Sequence, residues 1–195
     1  MTQEQSLLKT AGSFLWELIK IFLLAMVIIL PIRYFLVQPF FVRGASMEPN
    51  FLDGEYLVVD ELSYQFREPE RGEVIVFRFP GDTSQFFIKR IIGLPRETAR
   101  IEDGQVIISN KEHPEGVLLN EAEYLPEDLR TGGQVTITLG DNEYFVLGDN
   151  RSASSDSRSW GPLTEEAIVG RAWLRAFPFE RFGVLMHESV GLLNL

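Results

Sequence analysis

The sequence contains no cysteine and only two histidines, His113 and His187. Without cysteine the chain cannot form disulfides, use a thiol as a nucleophile or bind a metal through thiolates. Neither histidine lies in a spacing that is typical of metal ligands, so we predict no metal site and no cofactor. These absences exclude disulfide scaffolds and thiol enzymes, and they leave the cellular compartment undecided.

An excess of positive charge is also missing, since the formal net charge is -10. Phosphate binding needs a basic surface, so we exclude nucleic acid as a partner. Much of the acidity is local: nine carboxylates lie between Glu97 and Asp128, against only Arg100 and Lys111. We interpret residues 97–143 as a small, solvated, cap-like excursion without a catalytic role.

One apolar stretch approaches the length of a membrane span. The uninterrupted run, Ile21–Ile32, has about 12 residues, which alone is also typical of a buried core helix. Trp16 and Tyr34 lie about 27 Å apart along a helix, close to the thickness of the hydrocarbon core, and place one aromatic ring at each boundary. A cleaved signal peptide is the other alternative, but Arg33 and its neighbours form a poor cleavage region.

We therefore predict a tail at residues 1–13, a single transmembrane helix at residues 14–34 and a catalytic domain at residues 38–195. Glu17 and Lys20 are spaced i,i+3 and are expected to pair near the membrane interface.

Beyond Gln38 the sequence favours β structure. Short runs of β-branched and aromatic residues alternate with turn signals such as Leu52-Asp53-Gly54, which predicts an all-β domain of mostly antiparallel sheets, as a sandwich or a barrel. A helical turn is expected at Glu165–Val169. The predicted strands are Glu55–Val59, Glu73–Phe79, Gln105–Ile108, Val135–Leu139 and Tyr144–Leu147.

Two short segments carry candidate chemistry. Ser46 lies in Gly44-Ala45-Ser46-Met47-Glu48-Pro49, directly after the apolar stretch. A serine hydroxyl is a poor nucleophile unless a base removes its proton. Lys89 lies in an apolar run, and alternation along a strand puts it on the same face as Phe87 and Ile91. Desolvation there favours the neutral amine. To act as a base near neutral pH, Lys89 must have its pKa lowered from about 10.4 to roughly 7–8, a decrease that an apolar pocket could supply.

A third segment, Gly148–Gly161, concentrates serines, aspartates and arginines in a loop. By itself it is typical of a polar loop with internal salt bridges.

With these segments together, the chain resembles the bacterial type I signal peptidases. The resemblance covers nearly the whole chain, since its blocks follow the apolar stretch in the family's order. The matching blocks are Gly44–Pro49, Arg71–Phe77, Ile88–Pro95, Gly148–Gly161 and Val169–Ala172.

The resemblance implies a role for each matching residue. Ser46 is implied to be the nucleophile and Lys89 the general base, with Ser154 orienting the lysine. Two structural salt bridges are implied as well: Asp149 with Arg90, and Asp156 with Arg158. It also implies that signal peptides are cleaved after small residues, without metal or cofactor, on the extracytoplasmic side of the cell membrane.

The chain departs from the family at Gly44, where some members carry a serine. That leaves open what donates to the oxyanion beside the Ser46 N–H. Either a water or another amide fills the place, or the backbone demands glycine through a positive φ or a close approach of the substrate. We favour the first account. A second departure is Arg96-Glu97 after Gly93-Leu94-Pro95, where the local turn is expected to differ.

Other classes of protein remain as alternatives. A self-cleaving repressor also uses serine and lysine, but it carries a DNA-binding segment in place of an apolar one. Ser6-Leu7-Leu8-Lys9 fits the Ser-x-x-Lys pattern of penicillin-binding proteins, although it lies outside any predicted domain. The third alternative is a membrane-tethered β binding module or an inactive homologue.

We predict a membrane-bound serine endopeptidase that acts through an acyl-enzyme, with preproteins and membrane lipids as partners and a monomeric state. The substrate is expected to bind extended along sheet edges near Phe41–Gly44 and Phe79–Asp82.

Overall fold

The structure is a computed structural model that describes residues 2–31, 38–126 and 128–185. The chain divides into two compact units, Met1–Gln38 and Pro39–Leu195. We describe each unit by itself.

The first unit contains one helix, α1 (Thr2–Pro31). It begins inside the stretch that we predicted as a tail, because good helix formers such as Leu7 and Lys9 continue the helical pattern to the N-terminal side. The predicted i,i+3 pair is confirmed, since Lys20 Nζ donates to Glu17 Oε1 at 2.6 Å.

The predicted membrane span is not confirmed. Across the described ranges, no helix combines the length and the apolar character needed to cross a membrane. Positions 32–34 of the predicted segment lie outside the described residues.

The second unit consists mainly of antiparallel β strands, which confirms the β part of the predicted fold class. In chain order the strands are β1 (Gln38–Phe41), β2 (Tyr56–Asp60), β3 (Val74–Phe79), β4 (Asp82–Gly93), β5 (Thr98–Glu102), β6 (Gln105–Ser109), β7 (Val117–Leu118), β8 (Val135–Thr138), β9 (Glu143–Leu147), β10 (Leu163–Thr164), β11 (Ile168–Phe177) and β12 (Gly183–Val184). A one-turn helix, α2 (Ser157–Trp160), lies between β9 and β10. The expected helical turn before β11 is present at Glu165–Ala167.

The described strands form two sheets. The larger sheet has the order β1-β2-β11-β3-β4-β9-β10, with β12 paired to β11, and the smaller has the order β7-β6-β5-β8. Apolar side chains of both sheets share one buried cluster, which includes Ile92 and Phe145 from the larger sheet and Ile101 and Ile108 from the smaller. The smaller sheet lies within residues 97–143, the predicted excursion.

We had expected the acidic stretch to be solvated throughout, but the structure buries part of it. Glu97 is buried and accepts two hydrogen bonds from Arg71, at 2.6 and 2.8 Å. Glu121 pairs with Arg151, whose side chain is itself buried. Each of these carboxylates neutralises a guanidinium that is at most 10% exposed, which offsets the cost of removing the charges from water.

Strand β4 is the element that positions the candidate site. It pairs with β3 from Asp82 to Arg90, and with β9 only from Arg90 onward. The alternation of side chains therefore puts Lys89, opposite Ile75, on one face and Arg90, opposite Val74, on the other.

Candidate active site

Ser46 lies in a turn between β1 and β2 that is fixed on both sides. The next residue, Met47, is completely buried and packs in a cluster with Val42, Phe51 and Leu57. Two residues earlier, the Gly44 N–H donates to Asp53 Oδ1 at 2.7 Å. The apolar anchor at Met47 holds the turn in the core, while Ser46 itself stays partly accessible.

The structure brings Ser46 and Lys89 together although they are 43 residues apart. Lys89 Nζ donates to Ser46 Oγ at 2.7 Å and to the backbone oxygen of Ile88 at 2.7 Å. The Nζ atom also lies 5.5 Å from the centre of the Phe87 ring. A proton can therefore pass directly between the hydroxyl and the amine.

The surroundings of Lys89 favour its neutral form. The side chain is only 3% exposed. Burial lowers the pKa of Lys89 to about 8, against the opposing effect of the carboxylates of Asp156 and Asp149. At pH 7 about a tenth of the molecules would then carry a lysine that can accept a proton.

A groove of about 620 Å³ opens beside these two residues. Among the described strands, the part of β4 before Arg90 is paired only on its β3 side, so its other edge is free. Phe40 of β1 and Phe86 of β4 contact each other edge to face across the groove, with ring centres 5.4 Å apart. The groove is lined by residues 40–43, Ser46, Leu57, Val76, residues 84–89 and Ser155.

One of the two expected substrate edges, Phe79–Asp82, does not line this groove. Phe79 pairs with Asp82 at the turn of the β3–β4 hairpin, so the Phe79–Asp82 segment is the tip of that hairpin. The edge that faces the groove is residues 84–89, while the other expected edge, near Phe41–Gly44, does line it in part.

Arg90 and Asp149 form a buried ion pair on the opposite face of β4. Arg90 Nε and one terminal nitrogen donate to the two Asp149 oxygens at 2.9 and 2.7 Å. The guanidinium carbon lies 4.0 Å from the centre of the Tyr124 ring. Asn50 donates to the same carboxylate at 2.8 Å, so the pair ties β4 to the turn after Ser46.

Asp156 and Arg158 form the second implied ion pair, at the start of α2. Arg158 donates to both Asp156 oxygens at 2.8 Å, and the Gly148 N–H donates to one of them at 3.1 Å. Burial acts to raise the pKa of Asp156, but the bonds from Arg158 and Gly148 together hold it below its usual range. The carboxylate is therefore ionised near Lys89.

Gly148 is a glycine because of a close approach. A Cβ at this position would lie 2.4 Å from the backbone oxygen of Ser46 and 2.2 Å from Ser154 Oγ. Real Cβ atoms do not approach backbone so closely, so any larger residue has to displace the turn that carries Ser46.

Comparison with known proteins places the chain in a family. The model of the family described as "Signal peptidase, peptidase S26" matches residues 15–177. The chain belongs to this signal peptidase family.

Individual relatives agree. A probable signal peptidase I-1 of Synechocystis sp. is 34% identical over 190 residues, which cover 93% of this chain and 92% of the relative. The signal peptidase I of Bacillus amyloliquefaciens is 37% identical over 183 residues, covering 91% of this chain and 93% of the relative. A solved signal peptidase I from Enterococcus faecalis V583 is 30% identical, with a TM-score of 0.44, covering 54% of this chain and 97% of that one. The resemblance to type I signal peptidases, and with it the enzyme class, is confirmed.

In this family member Ser154 does not hydrogen-bond Lys89 among the described residues. Its Oγ is buried and makes no regular hydrogen bond, although it lies close enough to Asp156 to help lower the pKa of that carboxyl. Lys89 Nζ donates instead to Ser46 and to the backbone of Ile88. A lysine-orienting role for Ser154 stays a prediction.

From the sequence we favoured a Gly44 backbone that does not demand glycine, with a water or another amide as the second oxyanion donor. The conformation of Gly44 does not support this account. Its φ is +83°, a conformation that L side chains rarely adopt, so the backbone does favour glycine here. Apart from its two chain neighbours, no described residue has an atom within 4 Å of the position that a Cβ would occupy. The constraint at Gly44 is conformational and does not come from crowding by the protein.

Two side chains of the site were missed from the sequence. Asn150 bonds the turn that carries Ser46, and Ser155 lines the groove. The only available signal was their place in the Gly148–Gly161 segment, which does not show which side chains face Ser46.

Metal ligands do not cluster in this site. Over the part of the chain that the structure describes, no group of three or more His, Asp or Glu side chains is placed to hold a metal ion.

Proposed function

We propose that this protein removes signal peptides from exported preproteins, with Ser46 as the nucleophile and Lys89 as the general base. The observation that carries the proposal is the 2.7 Å contact between Lys89 Nζ and Ser46 Oγ, beside a groove with a free strand edge. Family membership supplies the reaction class.

In the proposed mechanism, neutral Lys89 accepts the Ser46 proton while Ser46 Oγ attacks the carbonyl carbon of the scissile bond. The resulting ammonium returns the proton to the leaving amine as that bond breaks. An acyl-enzyme remains on Ser46. Lys89 then takes a proton from water as the water oxygen attacks the ester carbonyl. It returns that proton to Ser46 Oγ as the acyl–oxygen bond breaks, which regenerates the serine hydroxyl and the neutral amine.

The substrate is proposed to bind as an extended strand between β1 and the free edge of β4. Main-chain hydrogen bonds to strand edges supply affinity without regard to sequence, as in other strand-addition complexes. Leu57, Val76 and Ile88 line the groove near Ser46 with apolar side chains, a surface that suits small apolar residues before the cleavage site.

Attachment to the cell membrane through residues 14–34, with the catalytic domain on the extracytoplasmic side, remains part of the proposal. It is supported by the exposed apolar side chains of α1 between Phe14 and Val27. In the second unit, three exposed aromatic rings contact one another: the centre of the Tyr56 ring lies 4.9 Å from that of Phe41 and 6.3 Å from that of Phe177. We propose that these rings contact lipid and that the protein acts as a monomer.

The test is cleavage of a preprotein by the purified full chain in detergent, compared with Ser46→Ala, Lys89→Met and the double variant. Each single change is expected to abolish processing, and the double variant should lose little more, because a nucleophile and its base act as one unit. Ser109→Ala and Lys111→Met, in and beside the smaller sheet, are matched controls that should keep wild-type rates. Cleavage at near wild-type rate by either site variant would contradict the proposal, and no cleavage by the wild type would favour a binding module.

A further inference from the structure

The peptide unit between Ala45 and Ser46 is the part of the site that the mechanism needs most after the two reacting side chains. The backbone N–H of Ser46 donates to no acceptor among the described residues. It is therefore available to a negative charge that develops on the substrate oxygen. Such a donor contributes most when its direction is fixed before the reaction starts.

Asn150 holds this peptide unit from the side of the Gly148–Gly161 segment. Its Nδ2 donates to the Ala45 oxygen at 3.0 Å, across 105 residues of sequence. Its backbone N–H donates to the Ser46 oxygen at 3.1 Å. Asn150 thus bonds the carbonyl on each side of the Ser46 Cα atom.

The first of these bonds helps to set the direction of the Ser46 N–H, together with the Glu48 N–H, which donates to the same Ala45 oxygen at 3.2 Å. The two cis peptide bonds of the described chain lie elsewhere, at Pro49 and Pro178, so the Ala45–Ser46 bond is trans. In a planar trans peptide the C=O and the N–H point in opposite directions. Ser46 lines the groove and Asn150 does not. A bond that holds the Ala45 oxygen toward Asn150 therefore turns the Ser46 N–H away from Asn150, to the side from which a substrate approaches.

The Asn150 side chain is itself held in place. Ser152 Oγ donates to Asn150 Oδ1 at 2.9 Å, which fixes the amide so that its nitrogen faces Ala45. The preceding residue, Asp149, is locked by the buried Arg90. The amide is therefore oriented before substrate binds.

We propose that Asn150 is a positioning residue of the oxyanion site: through the Ala45 carbonyl it orients and polarises the Ser46 N–H that stabilises the tetrahedral intermediate. A hydrogen bond to the carbonyl of a peptide also strengthens the donor at its other end. The inference rests on the proposed function, because it assigns a part in that reaction.

The experiment uses the full chain with two preprotein-derived peptide substrates, one with an oxygen ester and one with a thionoester at the scissile position. Sulfur is larger than oxygen and accepts weaker hydrogen bonds, so a fixed donor makes the enzyme prefer the oxygen substrate. Asn150→Ala is expected to lower kcat for the oxygen ester by roughly 10–100-fold, because the Ser46 N–H is misdirected but not removed, and removal of a whole donor costs about 100–1000-fold. KM should change by less than about threefold. Its oxygen-to-sulfur preference should fall by a similar factor.

Ser152→Ala provides an independent variant, because Ser152 is exposed and its loss only frees the Asn150 amide. We expect a smaller change in the same direction. Asn120→Ala removes a comparable bond, from the Ala122 N–H to Asn120 Oδ1 at 3.2 Å, and should change neither rate nor preference.

A merely structural role for Asn150 predicts a different pattern, in which both substrates lose rate equally and the oxygen-to-sulfur preference stays at the wild-type value. That result, or a change in KM alone, would overturn the inference while wild-type cleavage of the preprotein still supported the proposed function. If the wild type cleaves neither ester nor preprotein, both fail.

Discussion

Lys89 Nζ lies 2.7 Å from Ser46 Oγ, in a side chain that is only 3% exposed. Most lysines of proteins are solvated and charged at neutral pH. Here burial lowers the pKa of Lys89 to about 8, and the nearby carboxylates of Asp156 and Asp149 limit that decrease. These two carboxylates therefore oppose the loss of the Lys89 proton that burial favours.

The pH dependence of kcat/KM should report this balance. We expect an acidic limb near pH 8, because the lysine has to lose its proton before it can act as a base. Asp156→Asn removes a charge that favours the ammonium, so the pKa of Lys89 should fall and the limb should move to lower pH. The exposed Asp141→Asn is the control and should leave the limb in place. A limb that does not move in Asp156→Asn would contradict this account of the base.

Lys89→Met should stabilise the fold at neutral pH although it abolishes activity. Its folded pKa of about 8 lies below the ordinary 10.5, so the unfolded chain binds more protons between these values and stability rises with pH across that window. Below pH 8 the fold carries a buried ammonium, at a cost of about 3 kcal/mol. We expect Lys89→Met to remove that cost.

The measurement is denaturant unfolding of Lys89→Met and wild type at pH 7 and near pH 10. The variant should be more stable at pH 7 by up to about 3 kcal/mol, and the difference should shrink toward pH 10. Lys111→Met, at an exposed position, should change little at either pH. A variant that is less stable than wild type at pH 7 would show that the ammonium stabilises the fold.

The Arg90–Asp149 pair should matter far more than an ion pair at the surface. Its side chains are 5% and 0% exposed, whereas those of Arg96 and Asp141 are 69% and 77% exposed. Asp149→Asn removes the negative charge that accepts two hydrogen bonds from the buried Arg90 guanidinium, and we expect a loss of about 3–5 kcal/mol in the free energy of unfolding. Asp141→Asn should lose at most about 1 kcal/mol. Equal losses in urea titrations of the two variants would contradict the assigned burial.

The sequence predicts the strands better than the contacts between distant segments. Alternation identifies β2, β3 and β9 to within a residue or two, and it puts Lys89 on an apolar face. Strand β5 was missed because its alternating residues, Ala99 and Ile101, lie among charged ones. The bond between Asn150 and Ala45 joins positions 105 residues apart, and no local pattern specifies such a pairing.

The backbone conformation at Gly44 could not be predicted from the sequence either. A glycine in the sequence does not show whether its φ is positive or negative, since glycine adopts both with similar ease. Only the fold shows that φ is +83° at this position.

The last prediction follows from that angle. Gly44→Ala and Gly44→Ser should each destabilise the protein by about 1–2 kcal/mol, since a Cβ makes the left-handed conformation unfavourable. Both should also lose activity to a similar extent, because relief of the strain rotates the backbone two residues before Ser46. Gly44→Asn should lose less, since asparagine tolerates this region better than other side chains.

Gly133 is the control position that distinguishes a loss of stability from a loss of activity. Its φ is +97° and, as at Gly44, no atom lies within 4 Å of a Cβ position, but it belongs to the loop before β8. Gly133→Ala and Gly133→Ser should show a comparable loss of stability in thermal unfolding and no loss of kcat. If Gly44→Ser matches or exceeds wild-type kcat while Gly44→Ala falls, the backbone account is wrong, because a hydroxyl at position 44 then stabilises the oxyanion despite the strain.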